Sequence, residues 1–213
     1  MSQNKSVVDA EVKDYINVWK RHKIPRERHL GVLEGNHPMR QTSFGINPVA
    51  YMCSQLGIPH LAEYSAVVPI VFTFGNRTSH AMLTLILHHG WGGTNSRQKG
   101  ADWNKYTAYS KGNYDNWDIS VFGHTHNFGC LPDTIMDCNT HTDFVKEKIV
   151  LVGIVGTFLK TIEHETADSK GSSYSERGGY PPRVISWLEI DVGFRSDDNG
   201  NVFFRYPHIV PSL

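Results

Sequence analysis

Charge of one sign, long apolar runs and cysteine are all in short supply in this chain, and each shortage removes a class of function. Lysine plus arginine and aspartate plus glutamate balance at 21 each across 213 residues. No global field therefore draws the protein to nucleic acid or to an anionic membrane. No apolar run approaches the ~20 residues that a membrane span requires. Met1 to Lys5 is polar and leads into a mixed helical stretch, which reads as no signal peptide. Cys53, Cys130 and Cys138 are an odd number without a disulfide-dense pattern, which favours a reducing compartment. Cys130, Cys138 and His141 lie close together, but their spacing matches no standard zinc pattern, and loop and core cysteines are the plainer reading. Internal repeats, low-complexity tracts and linkers are missing too. The expectation is a cytoplasmic protein of one domain, residues 1–213, long enough to bury a sizeable core. Histidine is the exception to this scarcity: there are 12, and a transition-metal protein would use some of them.

The periodicities predict an α/β protein with strands in the majority. Val8, Val12, Tyr15, Ile16 and Trp19 fall at helical spacing between Val7 and His22, and Pro25 ends that helix. His29 to Glu34 reads as a short buried strand. A helix follows with Asn47 as cap, Pro48 at its first position and Gly57 as stop. Ala66 to Phe74 and Ala81 to His88 are β-rich and apolar, and Gly75 to Ser79 separates them as in a hairpin. Gly90 to Asn116 is rich in Gly, Asn and Lys, with Tyr106 and Tyr109 on a short helix. Asp118 to Phe122, Lys148 to Phe158 and Pro182 to Val192 read as further strands, with a polar loop from Glu163 to Tyr180 between the last two. Val202 to Tyr206 closes a sheet.

Three short motifs each follow directly on an apolar run: Gly35-Asn36-His37, His88-His89-Gly90 and Gly123-His124-Thr125-His126. Loops at the carboxyl ends of successive strands are where ligands converge. Imidazole and amide oxygen suit Mn, Fe, Zn or Ni. A glycine before Asn36 and before His124 permits a sharp turn. Of His88 and His89 only one should point inward, since neighbouring strand residues face opposite sides. Each motif alone could be an ordinary turn with surface histidines, whereas the ordered set argues for a metal site.

The order GNH, then HG, then GHxH resembles the second half of the calcineurin-like metallophosphoesterase family. Asn36-His37-Pro38-Met39-Arg40, Ile46-Asn47-Pro48, Leu56-Gly57-Ile58-Pro59, Gly90-Trp91-Gly92-Gly93-Thr94 and Tyr174 to Pro181 look like its phage and bacterial branch, so the likeness covers nearly the whole chain from about Val12. It implies a sandwich of two mixed β-sheets flanked by helices. It also implies two divalent ions that orient a hydroxide for attack on a phosphoester, a phosphodiester or nucleic acid among them. By resemblance Asn36 and His124 hold one ion together with a histidine of the central turn. Relatives with an HGxGG stretch place that ligand immediately before the first glycine, which selects His89. His126 would hold the other ion, and His37 would be the general acid at the leaving group. Arg40 and Arg77 are candidate phosphate anchors through bidentate guanidinium contacts, or else solvated arginines. Trp91, unusual in a glycine loop, suggests substrate contact. Gly90 to Gly93 is either a phosphate contact or a flexible loop, and Tyr174 and Tyr180 read as a packed lid.

Family members open with strands ending in Asp-x-His and Gly-Asp-x-x-Asp, the carboxylates that complete both metal sites. Neither occurs before Gly35 here, so the resemblance implies a fold lacking its opening strands. Asp9 and Asp14 belong to the first helix, and Glu34 points away from where Asn36 reaches. Pro38 stands where relatives carry an acidic residue that is not a ligand. Without a bridging carboxylate two dications would repel uncompensated. One ion, or none, is then expected on this chain alone. Three readings follow: an enzyme whose carboxylates come from a companion chain, a catalytically inactive remnant that binds a metal or partner, or a structural or nucleic-acid-binding domain. The last conflicts with the balanced charge.

Overall fold

A computed structural model describes residues 12–14, 16–23, 25–35, 47–73, 80–91, 100–125, 127–139, 144–156, 188–196 and 202–205. The chain divides into two compact units, 1–66 with 87–89, and 67–86 with 90–213. The class is mixed α/β, as the periodicities predict.

In the first unit, residues 12–14 and 16–22 are helical (α1), with Ile16 buried. A 3-10 turn at Arg26–Arg28 precedes β1, which is only Val32–Leu33, shorter than the six-residue strand the apolar run suggests. Helix α2, Pro48–Leu56, has the expected ends: the Asn47 side chain accepts from the Ala50 amide at 2.9 Å, and Gly57 follows in the left-handed conformation. Strand β2, His60–Ala62, then runs parallel to β1, with Val32 opposite His60 and Leu33 opposite Ala62.

The second unit is built on a five-stranded mixed sheet of order β3-β4-β5-β7-β6. Its strands are β3 Ser65–Thr73, β4 His80–His88, β5 Ile119–Phe122, β6 Gly129–Asn139 and β7 Phe144–Ile154. Strands β5 and β7 are parallel, and the Val155 amide continues their ladder to the Phe122 carbonyl at 2.8 Å. Strand β6 pairs antiparallel with β7 along its whole length. No strand is expected there from the sequence, and β6 carries Pro132. It is tolerated because β6 is an edge strand, where a missing N–H breaks no ladder.

Helix α3, Ala101–Asn113, buries a stripe at i, i+4 and i+8: Asp102, Tyr106 and Ser110. Tyr106 enters a core with Ile86, Trp117, Phe122, Val150, Val152 and Ile154, and the Ser110 and Ser120 hydroxyls meet at 2.7 Å. A second core cluster holds Leu83, Ile119, Cys130 and Leu151, with Leu188, Ile190 and Val192 packed against it. Asp118 ties the middle strands together. Its carboxylate accepts from the Thr84 amide at 2.6 Å and pairs with Lys148 at 3.0 Å. Of the strand expected from Pro182 to Val192, residues 182–187 lie outside the described residues, and Ile190 makes an isolated bridge. Strands β8, Gly193–Ser196, and β9, Val202–Arg205, form an antiparallel pair. Among the described residues no helix is long and apolar enough to cross a membrane.

Candidate functional site

Each expected motif sits where the chain leaves a strand. The first begins two residues after β1. Glu34 is 2% exposed, and its amide donates to the Ala62 carbonyl at 3.0 Å. Its carboxylate takes His60 Nε2 at 2.7 Å and the Asn47 side-chain amide on the same oxygen. Glu34 is thus a core carboxylate that joins β1, β2 and the cap of α2. Asn36, His37 and Arg40 lie outside the described residues, as does Arg77.

The middle motif follows β4. The His89 amide donates to the Tyr64 carbonyl at 2.8 Å, and the two rings meet edge-on at 5.9 Å. The His89 imidazole lies directly over Gly35: a Cβ at that position would fall 2.4 Å from Cε1 and 2.6 Å from Nδ1. Within the first unit, then, the GNH glycine is what makes room for the histidine of the central turn. His88 is half-buried, and desolvation lowers its pKa, favouring the neutral ring.

The third motif follows β5, at the carboxyl end of the parallel β5–β7 pair. His124 has φ +68°, and the Thr125 amide donates back to the Gly123 carbonyl at 2.8 Å. That combination is a γ-turn of the rare positive-φ form. Non-glycine residues held there cost about 1–3 kcal/mol, and such strain gathers at functional positions. Gly90, at φ +88°, packs against this turn: an added Cβ would lie 2.5 Å from the Gly123 carbonyl oxygen and 2.9 Å from Tyr106 Oη. Within the second unit the glycine of the central motif therefore seats against the glycine of the third. His126 lies outside the described residues.

Trp91 is 37% exposed, with its ring against Tyr109 at 4.7 Å, Tyr106 at 5.3 Å and Phe122 at 6.3 Å, all edge-on. Lys105 Nζ stands 4.8 Å from the indole centroid and 4.9 Å from that of Tyr106, and it donates to the Trp91 carbonyl. Desolvation lowers the Lys105 pKa, and Asp102 opposes that shift. Trp91 is thus both an anchored aromatic and one with a solvent-facing part.

Of the four expected metal ligands the described residues include His89 in one unit and His124 in the other. Among those residues no three His, Cys, Asp or Glu side chains group as a metal site. Cys130 is a buried free thiol in the second core cluster, and burial pushes its pKa up to about 12. Residues that the sequence did not single out are Glu34 as a structural tie, and Asp102, Lys105 and Asn127 around the third motif. The signal for Asp102 was its place one and two helical turns before Tyr106 and Ser110. No known protein family, no curated protein and no solved structure matches the chain.

Proposed function

We propose that this chain is a metal-dependent phosphoesterase component with the calcineurin-like arrangement, a two-sheet sandwich with flanking helices. Asn36, His89 and His124 would bind one divalent ion, and His126 would belong to a second. Mn, Fe, Zn and Ni all suit this donor set. The observation that carries the reading is the use of glycine at the motif turns. Gly35 admits the His89 ring, Gly90 admits the Gly123 carbonyl, and His124 is held at φ +68° at the end of a parallel strand. A fold with no use for these histidines would have little reason to keep a strained residue there.

When bound, divalent ions polarise phosphoryl oxygens and lower the pKa of water towards neutrality. The chain's own groups supply the rest. His37 donates a proton to the leaving-group oxygen, as an imidazole with pKa near neutrality can. Arg40 holds a phosphate oxygen bidentately. Trp91 contacts the substrate with its exposed part, and the substrate is a phosphoester, with phosphodiesters and nucleic acid in the class. The bridging carboxylates would come from outside residues 1–213, as from a companion polypeptide. Neither Glu34 nor Asp102, the buried carboxylates among the described residues, replaces them, because each already spends an oxygen on His60 and Asn47 or on Asn127. The two buried free thiols, Cys53 and Cys130, suit a cytoplasmic setting.

The same engagement of Glu34 and Asp102 favours a second reading, in which the chain binds one ion without turnover. Hydrolysis of bis-p-nitrophenyl phosphate with Mn²⁺, with metal analysis and His124→Ala as control, tests both. Turnover by the chain alone that is abolished in the control establishes an enzyme and refutes the need for outside carboxylates. Bound metal without turnover fits half of an enzyme or a remnant, and turnover restored by adding a polypeptide that carries the carboxylate motifs selects the first; neither metal nor turnover refutes both.

A further inference from the structure

A strained turn persists only where its surroundings over-determine it, and the surroundings of His124 within the second unit are on view. Gly90 packs against the Gly123 carbonyl and the Tyr106 hydroxyl. Asp102, in the first turn of α3 and 5% exposed, accepts from the side-chain amide of Asn127, three residues beyond His124. The second Asp102 oxygen is buried without a hydrogen-bond partner among the described residues. One helical turn on, the Tyr106 hydroxyl interacts with the Thr125 side chain, a second tie between α3 and the turn. Burying a carboxylate in this way is costly, and a leucine at the same place on α3 would pack without that cost. The first turn of a helix favours an anion, but a solvent-facing carboxylate would serve that purpose equally.

We propose that Asp102 is a positioning residue for the third motif: through Asn127 it clamps the Gly123 to Asn127 segment onto α3 and so holds His124 in its left-handed conformation, aimed for metal binding. The metal part of this rests on the reading of His124 as a ligand, whereas the clamp does not. Asp102 touches neither substrate nor ion. It acts as the outer hydrogen-bonding partners of metal sites do, fixing the direction of the side chain that ligates.

A thermal-unfolding cycle on the full chain tests the clamp without any metal. His124→Ala and His124→Gly both remove the imidazole, but only glycine relieves the positive φ. In the wild-type background the glycine variant should melt about 2–4 °C above the alanine variant. In an Asp102→Ala background the turn is free to relax, and the order should vanish or invert. Asp102→Asn, which keeps an acceptor for Asn127, should preserve it. If Asp102→Ala does not fold, Asn127→Ala provides the same background. An unchanged glycine advantage in either cut background would overturn the clamp and leave Asp102 a simple helix-end carboxylate.

Calorimetric titration with Mn²⁺ tests the aim. Asp102→Ala or Asn127→Ala should weaken binding about 10–100-fold, with Asp102→Asn between them and wild type. Unaltered Mn²⁺ affinity alongside a positive cycle would overturn the positioning role. A wild-type chain that binds no Mn²⁺ would refute the metal reading and the aim with it, while the cycle still decides the clamp.

Discussion

Two glycine-to-alanine substitutions, one residue type at two motif positions, should have opposite signatures. At Gly90 the added Cβ meets backbone, the Gly123 carbonyl at 2.5 Å, with φ at +88°. The left-handed conformation costs an L-residue about 1–2 kcal/mol. Forcing the neighbouring backbone aside costs ~1–3 kcal/mol more, and the smaller unfolded-state entropy returns ~0.4–1 kcal/mol. The net loss is about 2–4 kcal/mol, or roughly 4–16 °C in the melting midpoint for a chain of this size. At Gly35 there is no positive φ, and the atoms nearest the added Cβ all belong to the His89 ring, the first 2.4 Å away, a side chain that can turn rather than backbone. An off-rotamer ring costs ~0.5–1.5 kcal/mol, nearly offset by the same entropy term. Gly35→Ala should therefore fold within about 1 kcal/mol of wild type yet lose Mn²⁺ affinity at least about tenfold, because a ligand has been turned away. Circular-dichroism melts and Mn²⁺ calorimetry on both variants give the answer. A Gly90→Ala protein as stable as wild type would refute the packing argument. A Gly35→Ala protein that keeps its metal affinity would refute the assignment of His89.

Asp118→Ala should destabilise by about 2 kcal/mol in denaturant titrations, since it strands the Thr84 amide and leaves Lys148 only its Asn116 contact at 2.6 Å; Asp118→Asn, which keeps the Thr84 acceptor, should lose less than half of that. Glu34→Gln should fold and retain metal binding, whereas Glu34→Ala, which cuts both the His60 and Asn47 contacts, should cost about 2–3 kcal/mol in the same titration. Cys130, with its pKa raised to about 12, carries only about one part in ten thousand of thiolate at pH 8. Its labelling by iodoacetamide, read by peptide mass spectrometry, should be negligible until the protein is unfolded, and labelling at the rate of a free thiol would show the second core cluster to be open. The Asp133 carboxyl is held below its usual range: burial would raise it, but Lys111 and the Thr134 amide outweigh that effect. Its small contribution to stability is therefore present above about pH 4 and lost as pH falls through the lower folded value, so Asp133→Asn should flatten the acid limb of a stability–pH curve slightly and lower stability at pH 7 by that same small amount.

The parts of this molecule that were legible in the sequence are those set by local rules. Asn47, Pro48 and Gly57 marked both ends of α2 because capping is decided within a few residues. The runs of β3, β4 and β5 declared themselves by apolar, β-rich composition of strand length, although β3 is an edge strand with alternate residues exposed. What was not legible depended on distant partners. Strand β6, which carries Pro132, is not expected until its edge position is known. Strand β1 is shorter than its apolar run because only Val32 and Leu33 find a parallel partner in β2. Of the proposed site, the motif order singled out His89 and His124, whereas spacing could not show that Gly35 and Gly90 serve as seats for other motifs. Asp102 is not singled out in the sequence and is distinguished only by its burial against Asn127.

The most direct test of the central claim is metal stoichiometry. Equilibrium dialysis of the purified chain against Mn²⁺, followed by elemental analysis, should find about one ion per chain, the number that three nitrogen and amide ligands can retain without a bridging carboxylate. His89→Ala and His124→Ala should each abolish it while melting close to wild type. An ion retained equally by both variants, or none bound by the wild-type chain, would contradict the account.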